Sequence, residues 1–550
     1  MTTFDTPVPP VHDRASVLDQ PGRVRALLDD LRAGTDRYGV VFGGQGIAWL
    51  PTLAALVRDH GTGAELAELL ESVELRLAPV AGELARVDAR FTPLAWADVL
   101  AAGESVDSDD DAEAPAVPSE GDLAVPALSV PGIALTQIAA LRALRGWGLD
   151  PTPGGEHGAR AAAGHSQGAL AVEVLRGRDE ADVLLVARLC GVATQLVARR
   201  RGLTGSADAP VMVSVRDVEL GAVDEVLEGL PGTRAVRGLR NGRRSVVLAG
   251  PSADLAAVLA AFERRSAAEK DARDKKLTGG AVFAPVVEPL GAAVAFHHPD
   301  LAEAADLVAG WASTLGLDAA WARDLARTSF IDPVDWVAQL DDVLATGVDW
   351  LLDLGPAALA ATVTADEVTP RGVGVVTVTT RRGRRELTVP GAAPTRPTPW
   401  SSHLPTVVHL PDGSVRLETA FTRLTGKSPI LLAGMTPTTV DAAIVAAAAN
   451  AGFWAELAGG GQVTAEIFRD RMAELDGLLE PGRSFQFNSL LLDPYLWKLQ
   501  LGQQRLVQRA RAAGSPIDAV IVTAGVPELD EAVALVRDLH EVGIEHVVFK

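Results

Sequence analysis

The run Gly164-His165-Ser166-Gln167-Gly168 has the residue types and spacing of a serine nucleophile on a sharp turn. It lies between a short alanine-rich segment expected as a strand (159–163) and a helical pattern (169–175), the context such a turn needs. A serine at a strand-to-helix elbow takes a strained backbone, and small neighbours let a substrate approach. The same turn puts the amide of Gln167 at a helix N-terminus, where it can donate to an oxyanion. The competing reading is a plain tight turn, in a chain with 53 glycines. A serine also needs a base. Among the histidines, His12, His60, His157 and His165 precede Ser166, His403 and His409 fall in or just beyond a proline-rich linker, and His540 and His546 belong to a later unit. His297 and His298 remain, in Val294-Ala295-Phe296-His297-His298-Pro299, read as an apolar strand delivering a histidine to its end.

Holding these groups requires an α/β scaffold, and short apolar strands do alternate with helical patterns along the chain. Strands are expected at 38–42, closed by Gly43-Gly44, at 159–163, and at 350–354 before Gly355-Pro356. Strands at 211–215, 234–239 and 245–249, with helices at 219–230 and 253–270, give the order of a ferredoxin-like module once one more strand is added. That insert is placed at 208–285 within a first domain of 21–390. Residues 390–405 hold five prolines and mark the best boundary, and 391–427 read as a linker with a small β region. From 428 to 550, strands at 430–433, 453–457, 484–487, 519–523 and 546–549 alternate with helical stretches. A closed eight-unit barrel needs ~250 residues. The expectation is therefore a truncated TIM-barrel-like βα domain, with residue 550 a boundary in a longer chain.

Composition narrows the function classes. The 550 residues are 48% hydrophobic and 22% charged, with a formal charge of −21, which excludes wholesale disorder and argues against a nucleic-acid partner. One cysteine excludes a disulfide framework and any cysteine-rich metal site, and no metal is expected. No uninterrupted apolar run approaches a membrane-spanning length, so no membrane partner is expected. Residues 1–20 are polar and read as a flexible tail rather than a secretory signal. The acidic, serine- and proline-containing stretch 103–122 reads as a solvated surface loop, and 151–158 as a shorter break. A cytoplasmic protein is the expectation.

Four motifs in order, Phe42-Gly43-Gly44-Gln45-Gly46, Gly164-His165-Ser166-Gln167-Gly168, Phe296-His297-His298-Pro299-Asp300-Leu301 and Asp353-Leu354-Gly355-Pro356, resemble those of the acyl-CoA:acyl-carrier-protein acyltransferases. The resemblance implies an α/β-hydrolase-like core with an inserted ferredoxin-like subdomain. It implies Ser166 as nucleophile, His297 as base, and the amides of Gln45 and Gln167 as oxyanion donors. In that family a backbone carbonyl orients the histidine, and the matching segment 329–336 makes Ser329 the expected source. Malonyl-selective members carry an arginine where this chain has Cys190. An apolar side chain there would leave a buried carboxylate unpaired, so the expected substrate is acetyl-CoA or another short uncharged acyl thioester. Arg188 falls on the opposite helix face. The polyanionic CoA needs a local positive field, for which 199–201, Arg240 with Arg243-Arg244, and 264–276 are candidates.

The C-terminal units resemble flavin-dependent barrels of the nitronate monooxygenase and FMN-type enoyl reductase group, through Gly434-Met435-Thr436, Ala458-Gly459-Gly460-Gly461, Gln486-Phe487-Asn488, Thr523-Ala524-Gly525 and Lys550. That resemblance makes Gly434, Met435, Asn488 and Lys550 the expected FMN contacts, with NADPH or NADH as reductant in a full reductase and weak or absent FMN binding in this chain. The order of parts resembles the N-terminal end of a bacterial, actinobacterial type I fatty acid synthase. The implied partners are an acyl carrier protein with its phosphopantetheine and the other synthase domains, as a homo-oligomer at full length. The rival readings are a lipase- or esterase-type serine hydrolase with an acidic triad member, and a non-catalytic scaffold.

Overall fold

A computed structural model describes residues 25–44, 49–60, 62–87, 124–155, 157–275, 282–356, 358–411 and 413–550. The expected tail (1–20) and acidic loop (103–122) lie outside the described residues. The chain divides into two compact units, Met1–Trp400 and Ser401–Lys550.

In the first unit, β1 (Tyr38–Phe42) is buried along its whole length, as befits the central position of a parallel sheet. Its neighbours are β2 (Ala162–Gly164) and, on the other side, the strand Trp350–Asp353 described below. The polypeptide between them builds a second sheet from β3 (Met212–Arg216), β4 (Val236–Gly242), β5 (Ser245–Ala249), β6 (Val286–Pro289) and β7 (Val334–Asp335), in the order β6-β3-β5-β4-β7. Helices Leu220–Glu228 and Ser252–Asp274 complete a βαββαβ module, the ferredoxin-like arrangement, and their apolar faces cover β3 and β5 with a core of their own. β7 then adds in parallel to β4. The chain returns to the first sheet as β8 (Trp350–Asp353) and β9 (Gly374–Thr377), giving the order β2-β1-β8-β9, parallel throughout.

Two helices anchor the first unit's main core. Pro126–Gly146 and Glu180–Arg201 are long and apolar enough to cross a membrane by length and composition, yet their apolar windows are 94% and 89% buried inside the protein. Glu180–Arg201 starts where the Asp179 carboxylate accepts from the amides of Ala181 and Asp182, and stops at Gly202 in a left-handed conformation.

The second unit opens with a hairpin, β10 (Thr406–His409) against β11 (Val415–Glu418), so the small β region of the expected linker packs here. A parallel sheet follows with its strands in sequential order: β12 (Leu431–Leu432), β13 (Trp454–Ala458), β14 (Phe485–Leu490), β15 (Ile517–Thr523) and β16 (His546–Phe549). Helices separate consecutive strands, as the βα rhythm requires. The described residues form an open five-stranded sheet, without closure into a barrel.

Candidate active site

The catalytic candidates gather at the carboxyl ends of β1 and β2, where loops of a parallel sheet build sites. β2 ends at Gly164, and Ser166 follows with φ +57°, a strained conformation for a serine. The amide of His165 donates to the carbonyl of Phe42 at 2.9 Å, which ties the elbow to the end of β1. Close approach explains the glycines. A Cβ on Gly44 would lie 2.0 Å from the His165 carbonyl oxygen, and one on Gly168 would lie 2.0 Å from that of Phe42. The motif's glycines are there because two backbones touch.

Ser166 Oγ lies 2.6 Å from Nε2 of His297. Nδ1 of His297 lies 2.7 Å from the carbonyl oxygen of Asp332. A carbonyl only accepts, so Nδ1 carries the proton and Nε2 is left as the acceptor for the serine hydroxyl. Burial pushes the imidazole down to about 4, partly opposed by its bond to the Asp332 carbonyl, with His165 lowering it further. At neutral pH His297 is therefore an uncharged base. Acylation of Ser166 is expected to keep its rate well below pH 6.5, the ordinary histidine value. A pH profile of kcat/KM with an acidic limb near or above 6.5 would contradict this environment.

Two sequence expectations need correction. The orienting carbonyl belongs to Asp332, not Ser329: the carbonyl of Ser329 instead lies 3.3 Å from Ser166 Oγ. The helix Ala319–Phe330 still includes residue 329; its last carbonyl, that of Phe330, accepts from the His297 amide at 2.7 Å, and the carbonyl that meets the imidazole comes two residues later. Nor does a strand deliver His297. Residues 291–298 are irregular, Val294 makes an isolated bridge to Thr204, and His297 itself has φ +57°. His298 turns away: its Nε2 meets the carbonyl of Arg234 at 2.7 Å and its Nδ1 accepts from the amide of Asp300.

Several polar groups around the elbow are buried and specific. Gln167 Nε2 donates to the carbonyl of Gly44, and Gln137 Nε2 to that of Gly43 at 2.8 Å. Sequence reasoning missed Gln137, although a glutamine at 0% exposure within the apolar helix Pro126–Gly146 is the kind of signal that marks a site. Nε2 of His165 meets Asn241 Oδ1 on β4 at 2.8 Å, so the inserted module reaches the nucleophile's neighbour. Gln45 lies outside the described residues.

Cys190 is fully buried in the main core, and burial raises its thiol far above the usual range, so it is no reactive group. Arg188 is buried against Glu74, 2.7 Å away. All three basic clusters carry acidic partners. Arg200 and Arg201 share Glu303, Arg240 pairs with Asp335, Arg243 with Glu367 and Arg244 with Glu219, and Arg265 bridges Glu225 and Glu269. Of the three clusters, only that at 240–244 adjoins the strand that touches His165, with Arg240 on β4 and Arg243-Arg244 in the turn after it.

In the second unit, three of the four expected flavin contacts converge on a carboxylate the sequence reading did not single out. Glu456, 3% exposed on β13, accepts from the amide of Gly434 at 2.8 Å and from Asn488 Nδ2 at 2.7 Å, and Lys550 Nζ stands 3.3 Å from it. Met435 is 48% exposed and its amide is bonded to Thr439. Every donor of the set already has an internal acceptor, and opening a buried carboxylate's bonds costs more than a surface contact returns.

Residues 211–289, the inserted module, match the family described as the fatty acid synthase central AT domain. The chain is 28% identical to fatty acid synthase 2 of Mycosarcoma maydis, over 96% of this chain and 15% of that protein. It is 26% identical to a fatty acid synthase beta subunit of Monascus ruber, over 96% of this chain and 28% of that protein. The chain thus spans less than a third of either relative, and both are fungal, whereas the motifs resembled actinobacterial synthases. Among solved structures, a malonyl-CoA:acyl carrier protein transacylase of Xanthomonas oryzae is similar at 19% identity and a TM-score of 0.45, over 64% of this chain and 96% of that one. The inserted module at 211–289 is thus similar to the fatty acid synthase central AT domain, and most of the chain is similar to part of the fungal fatty acid synthases.

Proposed function

We propose that the first unit transfers a short uncharged acyl group, acetyl above all, from CoA through an acyl-Ser166 to the phosphopantetheine thiol of an acyl carrier protein. The observation that carries this reading is the Ser166–His297 contact, with the imidazole oriented by a backbone carbonyl. His297 Nε2 takes the hydroxyl proton as Oγ attacks the thioester carbonyl carbon. The resulting imidazolium holds its Nδ1 proton against the Asp332 carbonyl, and the Gln167 amide supports the oxyanion. Collapse expels the CoA sulfur, which takes the proton from His297. The carrier thiol then repeats the sequence in reverse. A hydrolase with an acidic triad member is disfavoured, because Nδ1 faces a carbonyl and no carboxylate.

Acetyl selectivity rests on the absence of a cation at position 190 and on Arg188 being engaged by Glu74. The phosphates of CoA would meet the cluster at 240–244, where the Arg244–Glu219 pair is exposed on both sides and weak enough to exchange for a polyanion. With purified chain and a phosphopantetheinylated carrier, transfer from acetyl-CoA should exceed transfer from malonyl-CoA at least tenfold. Preference for malonyl would overturn the selectivity, and absence of both the activity.

The second unit we read as the beginning of an FMN-dependent enoyl reductase that binds flavin weakly or not at all as it stands, because its donors face Glu456. An absorbance spectrum of the purified chain should lack a stoichiometric flavin band, and the presence of one would refute this. The implied setting is a cytoplasmic multienzyme whose other domains supply the carrier and consume the loaded acyl group.

A further inference from the structure

The motif Asp353-Leu354-Gly355-Pro356 has no role in the steps above, yet its acid is 1% exposed beside the site. Asp353 ends β8, the strand paired with β1 on the side away from β2. Its Oδ1 accepts from the amide of Gly355 at 2.8 Å, and the amide of Gly43 stands near enough to favour its charged form. Oδ2 is buried without a hydrogen-bond partner among the described residues. Burial pushes the carboxyl up to about 7, although both amides pull the other way. A group this costly to bury is poorly explained by packing alone.

Its surroundings are rigid. A Cβ on Gly355 would lie 2.8 Å from both N and Cα of Gly43, so the two turns meet backbone to backbone. The carbonyl of Gly355 accepts from the Thr379 hydroxyl at 2.6 Å, and that of Pro356 from Thr52 at 3.0 Å. Gly44, next along, is the residue whose Cβ would strike the Ser166 elbow.

We propose that Asp353 is a positioning residue: its carboxyl group fastens the Gly43-Gly44 turn against the Ser166 elbow and thereby sets the rate of attack at Ser166. This rests on the reading of Ser166 as nucleophile and adds to it a residue that touches neither substrate nor the reacting atoms. Asparagine preserves an oxygen acceptor for both amides, whereas alanine removes it.

The experiment compares wild type, Asp353→Asn and Asp353→Ala in the full chain by two readouts. One is the rate at which a fluorophosphonate labels Ser166, and the other is hydrogen exchange of peptides covering 38–44 and 162–170. Alanine should slow labelling at least about tenfold and speed exchange in both peptides, leaving exchange elsewhere in the unit unchanged. Asparagine should restore labelling to within about threefold of wild type. Wild-type labelling and exchange in Asp353→Ala would overturn the proposal. So would Asp353→Asn as slow as alanine with undisturbed exchange, since the oxygen acceptor would then not be what matters. If wild-type Ser166 resists the phosphonate altogether, the nucleophile reading fails and takes the rate claim with it, while exchange still decides whether Asp353 fastens the turn.

Discussion

Ser166→Ala is expected to lower acyl transfer by about a thousandfold or more while leaving the fold intact. The substitution removes one oxygen, Oγ, whose partners are His297 Nε2 and the carbonyl of Ser329. No scaffold bond depends on it, and alanine tolerates the elbow no worse than serine. His297→Ala should cost nearly as much, and the double variant little more than either single one, because nucleophile and base act in the same step. A thermal midpoint within a few degrees of wild type would separate lost chemistry from lost structure. Transfer surviving in Ser166→Ala would show that Ser166 is not the nucleophile.

The second large effect is expected from one methyl group. In Gly168→Ala the new Cβ would sit 2.0 Å from the carbonyl oxygen of Phe42 and 2.8 Å from its carbon. Those are backbone atoms of β1, held in register by both neighbouring strands, and cannot swing aside as a side-chain end could. The elbow must shift instead, and a displacement of about 1 Å in a positioned nucleophile costs on the order of a hundredfold in rate. Overpacking at a rigid contact also lowers stability by about 1–3 kcal/mol. Kinetics together with a denaturant titration test both parts. Near-wild-type transfer in Gly168→Ala would mean that the contact between Phe42 and the elbow does not hold in solution.

Much of this site was legible in the residues. Apolar runs located β1 and β5 at 38–42 and 245–249, because buried strands leave continuous hydrophobic signatures, and β16 at 546–549, although that strand is only partly buried. The serine stood out because its glycines mark a place where backbones touch. Choosing between His297 and His298 needed the resemblance to a family, since the two differ only in where an irregular segment points them. The carbonyl that orients His297 was misplaced by three residues, at Ser329 instead of Asp332, for a plain reason: every residue has a carbonyl, so a backbone acceptor writes nothing into the sequence. Asp353, Gln137 and Glu456 were there to be noticed as polar residues in apolar surroundings. What each one holds is set by long-range contacts, which periodicity does not encode.

The central claim is that Ser166 carries the acyl group. The most direct test mixes the purified chain with acetyl-CoA, quenches in acid and locates the acetyl group by peptide mass spectrometry. Acetyl is expected on the peptide containing Ser166, absent from Ser166→Ala and released by a phosphopantetheinylated carrier faster than by water. Acetyl found elsewhere, or found undiminished in Ser166→Ala, would contradict it.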